Sequence, residues 1–240
     1  MKKLAIIIAT ITCATTLSYA KDWLGANNTR FVDVGNAGNA ANPDSEGGKY
    51  GAVGYEYSIG KCEVTNAQYV KFMNSVGANT VDVNGVSVKL YGGFDTSASY
   101  SKFSLIEKNE AGNAFTVSEG KDNYAVNFTS AFAAAMYCNW LTNGAPETAT
   151  LDDILTGAYD FAKLGASIDI FKLENINTDG TYRLPTADEW HKAAFYDPQT
   201  GAYYTYATSS DTIDQTMANY KNSANGIVSE KQFEMFESPY

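Results

Sequence analysis

Few residues in this chain have side chains that could do chemistry, so their spacing can be weighed almost one by one. Arg183 and Glu189 form a charged pair around the start of the run Tyr182 to Phe195, beside Trp190. A charged pair there can serve catalysis, but an Arg and a capping Glu at a helix start mainly organise backbone. A Ser-His-carboxylate or Cys-His arrangement would have to use His191, the one histidine in 240 residues. The spacing puts His191 on a polar helix face, where it meets water. The cysteines are Cys13, Cys62 and Cys138, too few with one histidine to build a zinc site. Gly47-Gly48 and Gly92-Gly93 lack the spacing that cradles a phosphate or dinucleotide. Tyr203, Tyr204 and Tyr206 could line a ligand surface or pack on their own scaffold. No catalytic or cofactor-binding residue follows from spacing alone, although an acidic chain has oxygen atoms enough for calcium.

The element that must position Arg183, Glu189 and His191 is a helix opening at Thr186. Thr186 and Glu189 make a capping box, and Pro185 keeps the chain extended before it. Ala187, Trp190, Ala193 and Ala194 share one face and are predicted to enter the core, with Asp188, His191 and Lys192 facing away. Asp197-Pro198 ends the run. A second capping box, Thr65 with Gln68, precedes Tyr69, Phe72, Met73 and Val76 at helical spacing. A third helix, capped by Thr129 or Ser130, buries Ala133, Met136, Tyr137, Trp140 and Leu141 and ends at Asn143-Gly144. Leu151 to Phe171 is also apolar-periodic and predicted helical.

Arg30 to Val34 reads as a strand, Gly35 to Gly48 as loop, and the alternation of Val53, Tyr55, Tyr57 and Ile59 as a half-buried strand. Residues 81 to 123 read as turns and short strands around Val86-Ser87-Val88 and Phe115-Thr116-Val117. The length suits one domain, and 17 Tyr with frequent Gly suits a loop-rich mixed fold. The charge of −10 argues against nucleic acid or an anionic membrane as partner. Met1 to Ala20 has Lys2-Lys3, the apolar run Leu4 to Ile11 and Ser18-Tyr19-Ala20, the pattern of a signal peptide cleaved after Ala20. It is too short for a permanent span, so export to the periplasm, cell surface or medium is expected. There Cys62 and Cys138 could pair if close; otherwise Cys138 is a buried helix residue and Cys62 a strand residue.

Arg183-Leu184-Pro185-Thr186 followed by Glu189-Trp190 and Ala193-Ala194 resembles the most recognisable segment of the sulfatase-modifying factor family, the formylglycine-generating enzymes and their relatives. Ile59 to Tyr69, with Glu63-Val64-Thr65-Asn66 and Tyr69, is similar to that family's Glu-Val-Thr-Asn-x-x-Tyr motif. Val126-Asn127-Phe128 ahead of Tyr137-Cys138-Asn139-Trp140-Leu141 resembles its second helix, with Ala131 and Ala133 where a Trp and an Asp are usual. Val32 to Ala41 and Tyr55-Glu56-Tyr57 resemble the family's secreted bacterial branch.

The resemblance implies an α+β fold: an irregular, loop-rich single domain of the formylglycine-generating-enzyme type, related to the C-type lectin fold. It spans residues 21–240 after the signal peptide 1–20. The family's Gly-Asn-x-Trp-Glu-Trp, Arg-Gly-Gly-Ser and active-site cysteine pair have no counterpart beyond Tyr220, so the C-terminal part reads as missing. Helices built on Tyr69, Trp140 and Trp190 would then leave apolar faces partly uncovered. The resemblance also implies calcium, with Asn219 and Tyr220 matching the start of a ligand motif. Copper would follow only if a missing C-terminal part supplied the cysteine pair. Three functions are open: an exported family member that is not catalytic, the front of an active oxidase acting on a sulfatase peptide, or a lectin-like surface module binding a protein or glycan.

Overall fold

The computed structural model describes residues 30–164, 182–222, 226–229, 232–233, 235 and 238–240. The leader Met1 to Ala20 and the stretch 165–171 of the expected fourth helix lie outside the described residues. Within them the fold mixes helices with three separate two-stranded antiparallel sheets. Strand β1 (Phe31–Val34) pairs with β2 (Tyr57–Gly60), Phe31 opposite Gly60 and Val34 opposite Tyr57. Strands β3 (Thr80–Val83) and β4 (Val86–Lys89) form a hairpin, and β5 (Ile106–Lys108) pairs with β6 (Phe115–Val117). The β3–β4 turn is Asn84-Gly85, both at positive φ (54° and 83°), the conformation whose twist matches the flanking strands.

Helix α1 (Asn66–Val76) starts at Thr65 with both halves of the capping box formed and ends at Gly77. Helix α2 (Ala131–Thr142) starts at Ser130, whose hydroxyl accepts from the Ala133 N–H at 3.1 Å. Ser130 thus supplies the polar helix start that Ala131 and Ala133 cannot. Where the two helices meet, Phe72 lies 5.4 Å from Tyr69 and 5.6 Å from both Tyr137 and Trp140, centroid to centroid. These four rings centre the main core, which β3, β4, β5 and β6 complete through Val81, Val83, Val88, Ile106 and Phe115. Tyr69 and Trp140 are both 2% exposed, so the α1 and α2 faces expected to be partly uncovered are covered. Their polar tips are used too: Tyr69 donates to the Leu90 carbonyl at 2.7 Å and Trp140 Nε1 to that of Pro146 at 3.0 Å.

Helix α3 (Leu151–Leu155) is shorter than the apolar period suggests, and a 3-10 turn, Phe161–Leu164, follows it. Asn139, fully buried on α2, explains the break. Its amide donates to the carbonyls of Ile154 (3.1 Å) and Tyr159 (2.9 Å) and accepts from the Tyr159 N–H (2.9 Å). Backbone groups held this way are unavailable to a continuous helix. The strand expected from Val53 to Ile59 also begins late, at Tyr57, and Cys62 lies in an exposed bend after β2 instead of on a strand.

Helix α4 (Ala187–Phe195) corrects the expectation most. Its buried residues are Glu189, Lys192 and Ala193, whereas Trp190 is 53% exposed. The helix lies against residues 36–57, a segment that offers carbonyls and phenols, so a polar face can be buried where an apolar one was expected. Replacing Phe72 with Ala is expected to cost about 3–5 kcal/mol in urea unfolding, because the three large rings left around it cannot close the void.

Candidate functional site

The densest polar arrangement surrounds Glu189. Its Oε1 accepts from Arg183 Nη2 at 2.7 Å and from the Tyr55 hydroxyl at 2.5 Å; Oε2 accepts from Arg183 Nη1 at 2.9 Å and the Thr186 N–H at 2.7 Å. Tyr57 adds a hydroxyl bond of 2.5 Å to the Glu189 carbonyl. Side-chain exposure is 3% for Arg183 and 0% for Glu189, which makes this a buried, fork-to-fork ion pair. Burial pushes the Glu189 carboxyl up, but the hydrogen bonds from Arg183, Tyr55 and Thr186 outweigh it and hold the group below its ordinary range. Burial works against the Arg183 charge, and Glu189 more than restores it. Tyr55 is pushed up to about 12, first by burial and then by Glu189. A carboxylate with four donors and a phenol that keeps its proton have no capacity left for acid-base work at neutral pH. The pair organises backbone.

Lys192 is fully buried, which the sequence pattern did not foresee. Its Nζ donates to the Asn36 carbonyl at 3.0 Å, with the rings of Tyr57 and Tyr196 at 6.0 and 5.8 Å. Burial lowers its pKa from 10.5 to about 8, with Glu56 pulling the other way. Asp188 accepts from the Gly51 N–H at 2.9 Å, and His191 Nε2 lies 3.0 Å from Asn42 Nδ2. The polar face of α4 thus faces the arm 36–57, and His191 is half-buried. Tyr203 packs on the same scaffold, donating to the carbonyls of Ala40 (2.8 Å) and Gly51 (2.9 Å). A Cβ on Gly51, at φ +101°, would stand 2.6 Å from the Tyr203 oxygen, so only glycine fits. Tyr204 points its hydroxyl at Asp197, 3.4 Å away, and the Tyr206 N–H donates to Ser210 at 3.0 Å, which also ties that loop to itself.

Among the described residues Cys62 and Cys138 occupy opposite environments. Cys138 is 1% exposed on α2, its thiol pushed up to about 12 by burial, whereas Cys62 is exposed. A thiol that stays protonated in the core is inert. One surface thiol and one core thiol do not fit a copper-binding pair. Asn219 donates its amide to the Gly226 carbonyl at 2.7 Å, and Lys221 lies 5.1 Å from the Tyr220 ring, contacts that tie their loop to itself. Among the described residues no group of three or more His, Cys, Asp and Glu could hold a metal ion.

The profile of the sulfatase-modifying factor enzyme 1-like domain matches residues 26–239. The chain belongs to the sulfatase-modifying factor family. Curated proteins and solved structures gave no significant match. In this sulfatase-modifying-factor domain the segment Arg183 to Ala194 joins distant parts of the chain: Arg183 and Glu189 meet Tyr55, and Leu184 donates its N–H to Tyr159 at 2.9 Å. Among the described residues no helix is long and apolar enough to cross a membrane.

Two outcomes follow for α4. Glu189→Gln is expected to cost about 3–5 kcal/mol in chemical unfolding because it strands a buried arginine, while Trp190→Ala costs below about 1 kcal/mol. Lys192 has a folded pKa below its unfolded one, so the unfolded chain binds more protons between pH 8 and 10.5 and stability rises with pH across that window. Urea titrations near pH ~7.5 and ~9.5 should show the wild type gaining on Lys192→Met, and parallel curves would contradict this origin.

Proposed function

We propose that this sulfatase-modifying-factor domain is a non-catalytic, exported module that uses the family scaffold to present a binding surface to a protein or glycan. The observation that carries the reading is the state of the thiols: Cys138 is sealed in the core and held protonated, and Cys62 stands apart at the surface. Oxidising a substrate cysteine in the manner of the formylglycine-generating enzymes calls for a reactive thiol pair, and these two residues do not form one. Saturation of Glu189 by Arg183, Tyr55 and Thr186 supports the same reading, since the buried charge is spent on architecture.

The leader pattern of Lys2-Lys3, Leu4 to Ile11 and Ser18-Tyr19-Ala20 supports export in a bacterial secreted branch. The surface that fits a ligand best is the aromatic face of α4. Trp190 (53% exposed) packs edge-on against Phe195 at 5.8 Å, and Phe195 touches His191 at 4.7 Å, which in turn meets Tyr50, 37% exposed. Rigid aromatic area of this kind is what interfaces favour. Calcium in this reading would be held by Asn219 and Tyr220 and would brace their loop.

The test is direct. A cysteine-containing sulfatase peptide, incubated with the purified protein, copper and oxygen, is expected to keep its cysteine when read by mass spectrometry. Loss of the thiol mass with appearance of the aldehyde would overturn the non-catalytic reading.

A further inference from the structure

Residues 36–51 lie along α4 as an arm with two outer anchors, Asn36 to Lys192 Nζ and Gly51 to Asp188. Between the anchors Asn42 is the node. Its N–H donates to the Tyr50 carbonyl at 2.8 Å, and its own carbonyl accepts from the Ser45 N–H at 3.2 Å and the Ser45 hydroxyl at 2.7 Å. The Asn42 side chain, 7% exposed, then reaches His191 on the helix.

Elementary donor and acceptor chemistry fixes the protons here. The Asp44 N–H can only donate, so the Asn42 atom 3.0 Å from it must be the oxygen Oδ1. The other amide atom, Nδ2, is a donor and lies 3.0 Å from His191 Nε2, which must therefore accept. The ring is neutral and carries its proton on Nδ1. A proton on Nε2 would set N–H against N–H, and turning the amide over would set its NH2 group against the Asp44 N–H.

We propose that the Asn42–His191 contact is a proton-operated latch: protonating the single histidine releases residues 42–50 from α4 while the anchors at Asn36 and Gly51 hold.

The groups around the ring set its direction of response. Phe195, Tyr203 and Tyr50 stand at 4.7, 5.7 and 6.3 Å and shield part of the half-buried ring from water. Asp188, on the same helix, favours the charged ring, but it is engaged with the Gly51 N–H. Lys192 is turned to Asn36, and the segment's own charges, Asp44, Glu46 and Lys49, are exposed. Burial is the larger influence and holds the imidazole below its ordinary 6.5. A lowered folded pKa means that the latch's contribution is complete above 6.5 and is lost as pH falls toward the folded value. The latch does not depend on whether the domain is catalytic.

Because the chain has one histidine, its ring signals are unambiguous in nitrogen-15 spectra of the whole protein. The Nδ1–H tautomer is expected at neutral pH. Amide exchange across residues 42–50, corrected for the intrinsic pH effect, is expected to rise about tenfold between pH ~7.5 and ~5, with α1 and α2 unchanged. Asn42→Asp replaces the donor with a carboxylate that still accepts from the Asp44 N–H. It should invert the response, raising the histidine pKa by about one unit and holding the segment tighter in acid. His191→Gln can still accept from Asn42 and should stay latched at both pH values. An Nε2–H tautomer at neutral pH, exchange of residues 42–50 that ignores pH, or a lowered histidine pKa in Asn42→Asp would each overturn the latch.

Discussion

The structure depends on one carboxylate. Glu189, with no solvent exposure, takes two hydrogen bonds from Arg183, one from the Tyr55 hydroxyl and one from the Thr186 N–H. Through these donors it fixes the segment before α4, the first turn of α4 and the arm that leads into β2. A buried ion pair gives little net stability over apolar packing of the same volume, because desolvation consumes most of the attraction. Its directional bonds do set the rotation of α4 about its axis, and that rotation decides what faces inward.

Everything else on α4 follows from the rotation. With Glu189 inward, Lys192 and Ala193 come inward as well, Asp188 and His191 meet the arm, and Trp190 turns to solvent. The second, smaller core of Val34, Val53, Tyr57 and Ala193 is too narrow to sheathe the helix in apolar atoms. Polar groups of the arm do the covering instead: the Asn36 carbonyl for Lys192, the Tyr57 phenol for the Glu189 backbone and the Asn42 amide for His191. The seam therefore contains a lysine and a histidine whose pKa values are both lowered by burial. In the main core around Phe72 and Trp140 the titratable groups Tyr69 and Cys138 are instead pushed up by burial and stay protonated at neutral pH.

This division bears on function. A shared fold leaves activity to particular side chains. Here the charged pair Arg183 and Glu189 holds the seam together, as a pair at a helix start is expected to, and the core cysteine is packed as a small apolar residue. The aromatic outer face of α4, where Trp190 packs on Phe195 and Phe195 on His191, borders the same arm.

The sequence by itself determined the local structure wherever one residue type has one good use. Thr65 with Gln68 and Thr186 with Glu189 announce two helix starts because a hydroxyl and an amide or carboxylate at that spacing satisfy the same free N–H groups in any context. The stripes Tyr69, Phe72 and Met73 on α1 and Met136, Tyr137 and Trp140 on α2 were legible because both helices face an apolar core. Asn84-Gly85 is a hairpin signal of the same local kind, because both residues accept the positive φ that the turn requires. The tertiary structure decided the rest. Periodicity assumes that apolar atoms go inward, and it fails on α4 because the neighbouring segment supplies acceptors and phenols there. Nothing local to Glu189, His191 or Lys192 says that Tyr55, Asn42 and Asn36, far away in sequence, will arrive to meet them. Only the folded chain brings those groups within hydrogen-bond reach, and that proximity turns a face written as solvent-exposed into the seam of the domain.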